Sequence, residues 1–212
     1  MAPSPETIKT ACDALADKDP VLAKAYSESG IPVWRTAPAQ YETLAKAVVY
    51  QLISTKAASA IWERLLNLHP DISPVAILGD DPEALRGVGL SRPKVSHLRT
   101  IAEAIVTGQL NFMRLAETSI ESARKELLAV KGIGPWTVDI FLMNALGKLD
   151  AFPVGDVGLM EAYKRLSGAQ VRPDTKAFSA LAGAWRPYRG VAAHLLYGWL
   201  NMMRDHAQPA AP

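Results

Sequence analysis

Two tripeptides of one design, Gly87-Val88-Gly89 and Gly132-Ile133-Gly134, each stand between segments whose apolar residues recur at helical spacing. Glycine closes helices and lets a chain reverse tightly, so the echo implies two helical hairpins built alike. The same punctuation runs through the rest of the chain. Tyr41, Leu44, Val48 and Leu52 keep one helical face, and Ala57, Ile61, Leu65 and Leu68 keep another after the polar break at Ser54 and Thr55, so two helices meet around Gln51 to Thr55.

Asp81 before Pro82 marks an N-cap with proline at the first helical position, opening a short helix that Gly87 closes. A longer helix runs from about Pro93 to Val106 and stops at Gly108. Thr118 and Glu121 read as a capping box for a helix ending near Val130, and Pro135 opens another that ends at Gly147. Further helices are expected over about 157–166, 174–185 and 189–204, and the first 38 residues also read as helical. No alternating strand pattern interrupts them. The expected fold class is all-α with short connections, and residues 1–6 and 207–212 are expected to be frayed tails.

Composition narrows the function classes by exclusion. At 49% hydrophobic, the chain can bury a core as one compact unit or as two packed lobes. Its longest apolar runs, such as Phe141 to Leu146, fall far short of the roughly 20 residues that cross a bilayer, and MAPSPETIKT does not read as a secretory signal. No membrane association is expected, and an intracellular protein is. A single cysteine, Cys12, excludes an internal disulfide and any iron-sulfur cluster held by several thiolates. The four histidines are scattered without a zinc-binding pair. The net charge of +2 is too small to argue for nucleic acid by itself. Five acids against three lysines leave −2 in residues 1–30, so residues 31–212 carry +4, with Arg86, Arg92, Lys94, Arg99, Lys131 and Lys148 gathered around the glycine turns.

The stretch LAVKGIGPWTVDI, residues 128–140, is more specific than two glycines alone. Gly132 and Gly134 permit a tight backbone and the close approach of a phosphate, and Pro135 starts a helix whose first amides lack partners within the helix. Those amides and the positive end of the helix dipole suit an anion, and Thr137 can add a hydroxyl. Such contacts hold a duplex without reading its sequence.

With this stretch the chain resembles the helix-hairpin-helix DNA glycosylases, and within them the DNA-3-methyladenine glycosylase II branch. VVYQLISTKAASAIWERL (48–65) is similar to the first core helices of that branch, LRGVGLSRPKVSHLRTIAEAI (85–105) to its middle segment, DAFPVGDVGL (150–159) to its catalytic loop and WRPYRGVAAHLLYGWL (185–200) to its C-terminal helix. The segments follow family order from about residue 40 to 204. The resemblance implies one two-lobed helical unit over 1–212, without an added N-terminal β domain, carrying its DNA-binding hairpin at about 119–146. It implies excision of alkylated purines, of the 3-methyladenine and 7-methylguanine type, from double-stranded DNA. The simpler expectation is a monomer, working in the cytoplasm and nucleoid if bacterial and in the nucleus if eukaryotic.

The resemblance also assigns residues. The aspartate of the family's P-x-x-D signature matches Asp156, whose other reading is the N-cap of a helix from Val157. Asp150 is the runner-up carboxylate but lies before Pro153, outside the signature position. Trp136 occupies the place where strand-cutting relatives carry a lysine nucleophile, which implies base release without lyase chemistry. Lys131 precedes Gly132 and reads as a phosphate-facing or solvated lysine. Trp136 and Tyr197 are implied as walls of the base pocket with Ile140 beside them, and ordinary core packing is the alternative for both aromatics. Ile140 and Tyr197 depart from the tyrosine and tryptophan of the best-known bacterial member, which leaves the substrate range open.

Leu52, in the turn from Gln51 to Ser54, matches the residue that wedges into the gap left by a flipped nucleotide, with helix-end core packing as its alternative. With Gln51, Lys131, Gly132, Gly134 and Thr137 it makes up the expected DNA-contact set. Backbone carbonyls of Leu128, Val130 and Ile133 are implied ligands of a structural sodium or potassium ion, and no cofactor is required for the chemistry. Two other classes remain open on the residues alone. A noncatalytic DNA-binding protein that kept the hairpin would not need PVGD, and a helical bundle unrelated to DNA would leave the order of the matching segments without cause.

Overall fold

The computed structural model describes residues 2–207. Among them there are thirteen helices and no strand: α1 (Pro5–Lys18), α2 (Pro20–Ser29), α3 (Tyr41–Tyr50), α4 (Thr55–Leu68), α5 (Pro74–Gly79), α6 (Pro82–Gly87), α7 (Arg92–Val106), α8 (Phe112–Glu117), α9 (Ile120–Leu128), α10 (Pro135–Asn144), α11 (Val157–Ser167), α12 (Thr175–Gly183) and α13 (Arg189–Ala207). The chain divides into two compact units, one from Met1–Thr36 with Gly147–Pro212 and the other from Ala37–Leu146.

Short polar residues set most helix starts. Ser4, Asp19, Ser54, Ser73, Asp81, Ser91, Asn111, Ser119, Asp156 and Asp174 each accept a backbone N–H from the turn they open. Each such cap stabilises its helix by about 1 kcal/mol relative to alanine. Three expectations change as a result. Residues 5 and 6 belong to α1, because Ser4 caps it and Pro5 takes the first helical position, so the N-terminal tail is shorter than expected. Residue 207 ends α13, and residues 1 and 208–212 lie outside the described residues. The cap of α9 is Ser119, which accepts from Ser122 N at 3.1 Å; Thr118 instead finishes α8, its hydroxyl donating to Leu115 O at 3.1 Å. Helices α5 and α8 escape periodicity because six residues make under two turns.

In the first unit α1, α2, α11 and α13 pack together, and Leu15, Leu22, Phe178 and Trp185 are wholly buried. Asp19 ends α1, caps α2 through Val21 N at 2.8 Å and accepts from Trp185 Nε1 at 2.8 Å, so one buried carboxylate joins three elements. Cys12 is buried in α1, and burial pushes its thiol up to about 12. In the second unit α7 packs against α3, α5 and α6, burying Val95, Leu98, Ile101 and Ala102, while α10 packs against α3 and α9. Helix α10 buries Thr137, Val138, Asp139, Phe141, Leu142 and Met143, an all-round pattern that marks it as the central helix of its unit.

Candidate active site and nucleic-acid interface

The hairpin of α9 and α10 is held by an ion pair to a buried carboxylate and by a glycine whose backbone and neighbours exclude a side chain. Asp139, 1% exposed in the middle of α10, receives the Arg124 guanidinium from α9. Between the helices Gly132 takes φ +101°, and a Cβ there would stand 2.5 Å from His97 Cβ. Both the left-handed backbone and the imidazole from α7 therefore require glycine. Ile133 then buries its side chain, and Gly134 caps α10 at φ −87°, ψ 167° with no side chain to satisfy its first amides.

A second turn of the same unit stands beside this one. Leu52, in the connection between α3 and α4, is fully exposed and takes φ +57°. The left-handed region costs a leucine roughly 1–2 kcal/mol, and exposure forgoes about 1.5–3 kcal/mol of burial. It therefore does not extend the apolar face of α3, as its spacing suggested. Gln51 Nε2 donates to Thr137 Oγ1 at 2.9 Å, tying this turn to the start of α10. Thr137 is 1% exposed, so its hydroxyl serves that bond and does not stand open to an anion as expected. An open groove of about 580 Å³ is lined by Gln51, Leu52, His97, Gly132, Gly134 and Trp136.

Trp136 is 39% exposed, which removes the core-packing alternative within its own unit. Lys131 is exposed, and Ile140 is half-buried one turn after Trp136. Several of the basic residues gathered near the glycine turns are used internally. Lys94 Nζ donates to Val49 O at 2.7 Å, and burial lowers its pKa. Arg99 donates to Ile77 O and Asp80 O, and Arg86 pairs with Glu83.

In the other unit, the loop before α11 is anchored by buried Phe152 and Pro153 and turns through a bond from Asp156 N to Pro153 O of 2.8 Å. Asp156 is the N-cap of α11: Oδ1 accepts from Leu159 N at 3.0 Å. Its Oδ2 accepts from the Tyr197 hydroxyl at 2.8 Å. Arg35 lies over the Tyr197 ring, 5.3 Å from its centroid. Burial, then the Asp156 charge, push the Tyr197 hydroxyl upward, so it remains a protonated donor. Asp150 is committed elsewhere, to Arg189 Nε and Nη2 at 2.9 and 2.8 Å and to Arg186 at 3.1 Å. Among the described residues, no three His, Cys, Asp or Glu side chains gather as a metal site.

Residues 45–187 match the model of the HhH-GPD superfamily base excision DNA repair proteins. The chain belongs to this family. It is 31% identical over 176 residues to DNA-3-methyladenine glycosylase 1 of Schizosaccharomyces pombe, covering 81% of this chain and 77% of the relative. Among solved structures it is similar to the DNA-3-methyladenine glycosidase of Bacillus halodurans, with TM-score 0.78, 32% identity and coverage of 92% and 91% of the two chains. It is also similar to the 3-methyladenine DNA glycosylase of Schizosaccharomyces pombe solved in complex with abasic DNA, with TM-score 0.77, 26% identity and coverage of 88% and 95%. The glycosylase fold is thus all-helical here, and no described helix is long and apolar enough to cross a membrane.

Within this family fold, Asp156 caps α11, the alternative its sequence position offered, and both of its oxygens accept hydrogen bonds. Sequence reasoning missed the partnerships of Gln51 with Thr137, Tyr197 with Asp156, His97 with Gly132, Arg35 with Tyr197, and Arg124 with Asp139. Only the last left a signal, a carboxylate flanked by Val138 and Ile140 in an apolar helix.

Proposed function

We propose that this chain is a monofunctional DNA glycosylase that releases alkylated purines from duplex DNA. The observation that carries the reading is Asp156, a partly exposed carboxylate at the family's signature position, oriented by donors on both oxygens. Alkylation at N3 of adenine or N7 of guanine leaves a cationic base, which departs as a neutral molecule without needing an acid. The charge that develops on the sugar is positive, and a preorganised carboxylate beside C1′ stabilises it. Water then completes hydrolysis of the N-glycosidic bond, so the carboxylate pair of ordinary glycosidases is not needed.

The hairpin supplies the grip. A backbone phosphate at the N-terminus of α10 gains amides and the helix dipole, with exposed Lys131 adding charge. The carbonyls of Leu128, Val130 and Ile133 are neutral oxygen donors of the kind hard cations take, and Val130 O, which accepts from Ile133 N at 3.1 Å, keeps a second lone pair. They would hold a sodium or potassium ion that adds positive charge to the phosphate-binding turn. Leu52, exposed and strained, fits a side chain that fills the space left when a nucleotide turns out of the stack, a step costing a few kcal/mol. The exposed indole of Trp136 offers a π face that favours a cationic base. It carries no amine for an imine with the sugar, so the strand stays intact.

The test is incubation of the protein, acting as a monomer, with methylated duplex, followed by mass spectrometry of released bases and borohydride trapping. Released 3-methyladenine or 7-methylguanine, strand breaks only after alkali and no trapped adduct are the expected results. Asp156→Asn should keep the fold, since asparagine caps a helix as well as aspartate, and lower single-turnover excision on the order of 10²-fold or more. A trapped covalent adduct would overturn the monofunctional assignment, and full activity in Asp156→Asn would return that residue to its capping role alone.

A further inference from the structure

We propose that Tyr197 is a positioning residue for the carboxylate: its hydroxyl, with Leu159 N, holds both oxygens of Asp156 in place for electrostatic stabilisation of the sugar. The inference rests on the reading of Asp156 as the reacting carboxylate. Leu159 N, at 3.0 Å from Oδ1, holds one oxygen from the helix that Asp156 caps. The hydroxyl at 2.8 Å from Oδ2, delivered from α13 across 41 residues of sequence, holds the other from a second element. The two oxygens are then held before the sugar acquires charge, the condition under which such a group is most effective. Gly158 belongs to the same arrangement, because a Cβ there would stand 3.1 Å from Asp156 Oδ1.

The ring of Tyr197 is itself held. Arg35 covers one of its faces, so that face already carries a cation and is closed to a cationic base. Selection of a charged base therefore does not come from that face, which separates the role of Tyr197 from the pocket-wall role its position suggested.

The experiment measures single-turnover release of 7-methylguanine by the wild type and Tyr197→Phe, with affinity for a duplex carrying a stable abasic-site analogue measured in parallel. Loss of the hydroxyl should slow excision roughly 10-fold or more, the usual effect of removing a hydrogen bond to a charged group. Affinity for the analogue should stay within about two-fold, since the hydroxyl is assigned no part in DNA binding. A wild-type rate in Tyr197→Phe, which keeps the ring without the hydroxyl, would overturn the inference. If the wild type releases no base, or Asp156→Asn is as fast as wild type, the reading of Asp156 fails and takes this one with it; with those controls as expected, only the role of Tyr197 is judged.

Discussion

The turn at Gly89 joins α6 to α7 and the turn at Gly132 joins α9 to α10, and both pass through glycine at nearly the same left-handed φ, +102° and +101°. Beyond that residue they part. After Gly89 the chain buries Leu90 and reaches Ser91, whose hydroxyl accepts from Lys94 N and closes the start of α7. After Gly132 it buries Ile133 and reaches Gly134, which has no side chain to offer the start of α10. The residue before each glycine differs as well: Val88 is buried with its carbonyl taken by Arg64 Nε at 2.8 Å, whereas Lys131 is exposed. One backbone thus makes a side-chain-capped connection in one place and a helix start without a side-chain cap in another. The difference lies in the cap and in the charge beside it.

The largest effect should come from the glycines themselves. Gly132→Ala puts a methyl 2.5 Å from His97 Cβ, an atom fixed to the α7 backbone, on top of an unfavourable φ. Together these cost about 2–5 kcal/mol. Gly89→Ala meets Arg64 Nη2 at 2.8 Å, the far end of a flexible side chain, and should lose about 1–2 kcal/mol, mostly from φ. Urea unfolding of both variants measures the gap. Equal losses would mean that His97 yields as readily as Arg64, and the tighter packing of the second turn would have no energetic meaning.

This comparison also explains what the sequence could and could not disclose. The tripeptides Gly87-Val88-Gly89 and Gly132-Ile133-Gly134 match as strings, yet the structure pairs Gly89 with Gly132 and Ser91 with Gly134, two residues out of that phase. Helix starts were legible because Asp81, Pro135 and Asp156 act locally on their own first turns. Leu52 was misplaced on the face of α3 because spacing carries no information about φ. The hydroxyl of Thr137 was assigned to a phosphate because no local pattern reveals Gln51, 86 residues away, as its partner. Asp156 was legible as cap and as signature residue, but the hold of Tyr197 on it, and of Arg35 on Tyr197, depends on tertiary packing.

Gly134→Ser sharpens the comparison by giving α10 the cap that α7 has. Serine in place of glycine at an N-cap gains only a few tenths of a kcal/mol in stability. Its oxygen, however, competes with a phosphate for the amides at that end. Affinity for duplex DNA at fixed salt should fall by roughly 3- to 10-fold, the scale of one lost phosphate contact and its share of the helix dipole. Fluorescence anisotropy reads the change, and an unaltered affinity in a slightly stabilised protein would place the phosphate elsewhere.

The smallest effect should follow the reverse exchange, Ser91→Gly. Removing the cap of α7 makes the two N-terminal ends alike in their lack of a side-chain acceptor, and costs a few tenths of a kcal/mol because glycine is itself tolerated there. If an uncapped helix end were sufficient for binding, this variant would gain affinity for DNA. It should not, because the turn before it differs from the second one in more than the cap. Val88 is buried where Lys131 is exposed, and Lys94 is drawn to Val49 O, leaving its charge engaged at the end of α3. An anion approaching α7 would meet amides and a dipole with less positive charge beside them than at α10. Anisotropy titrations of Ser91→Gly at two salt concentrations should therefore superimpose on wild type. A tighter curve with a steeper salt dependence would show that the cap alone separates the two turns, and that the exposed lysine adds nothing.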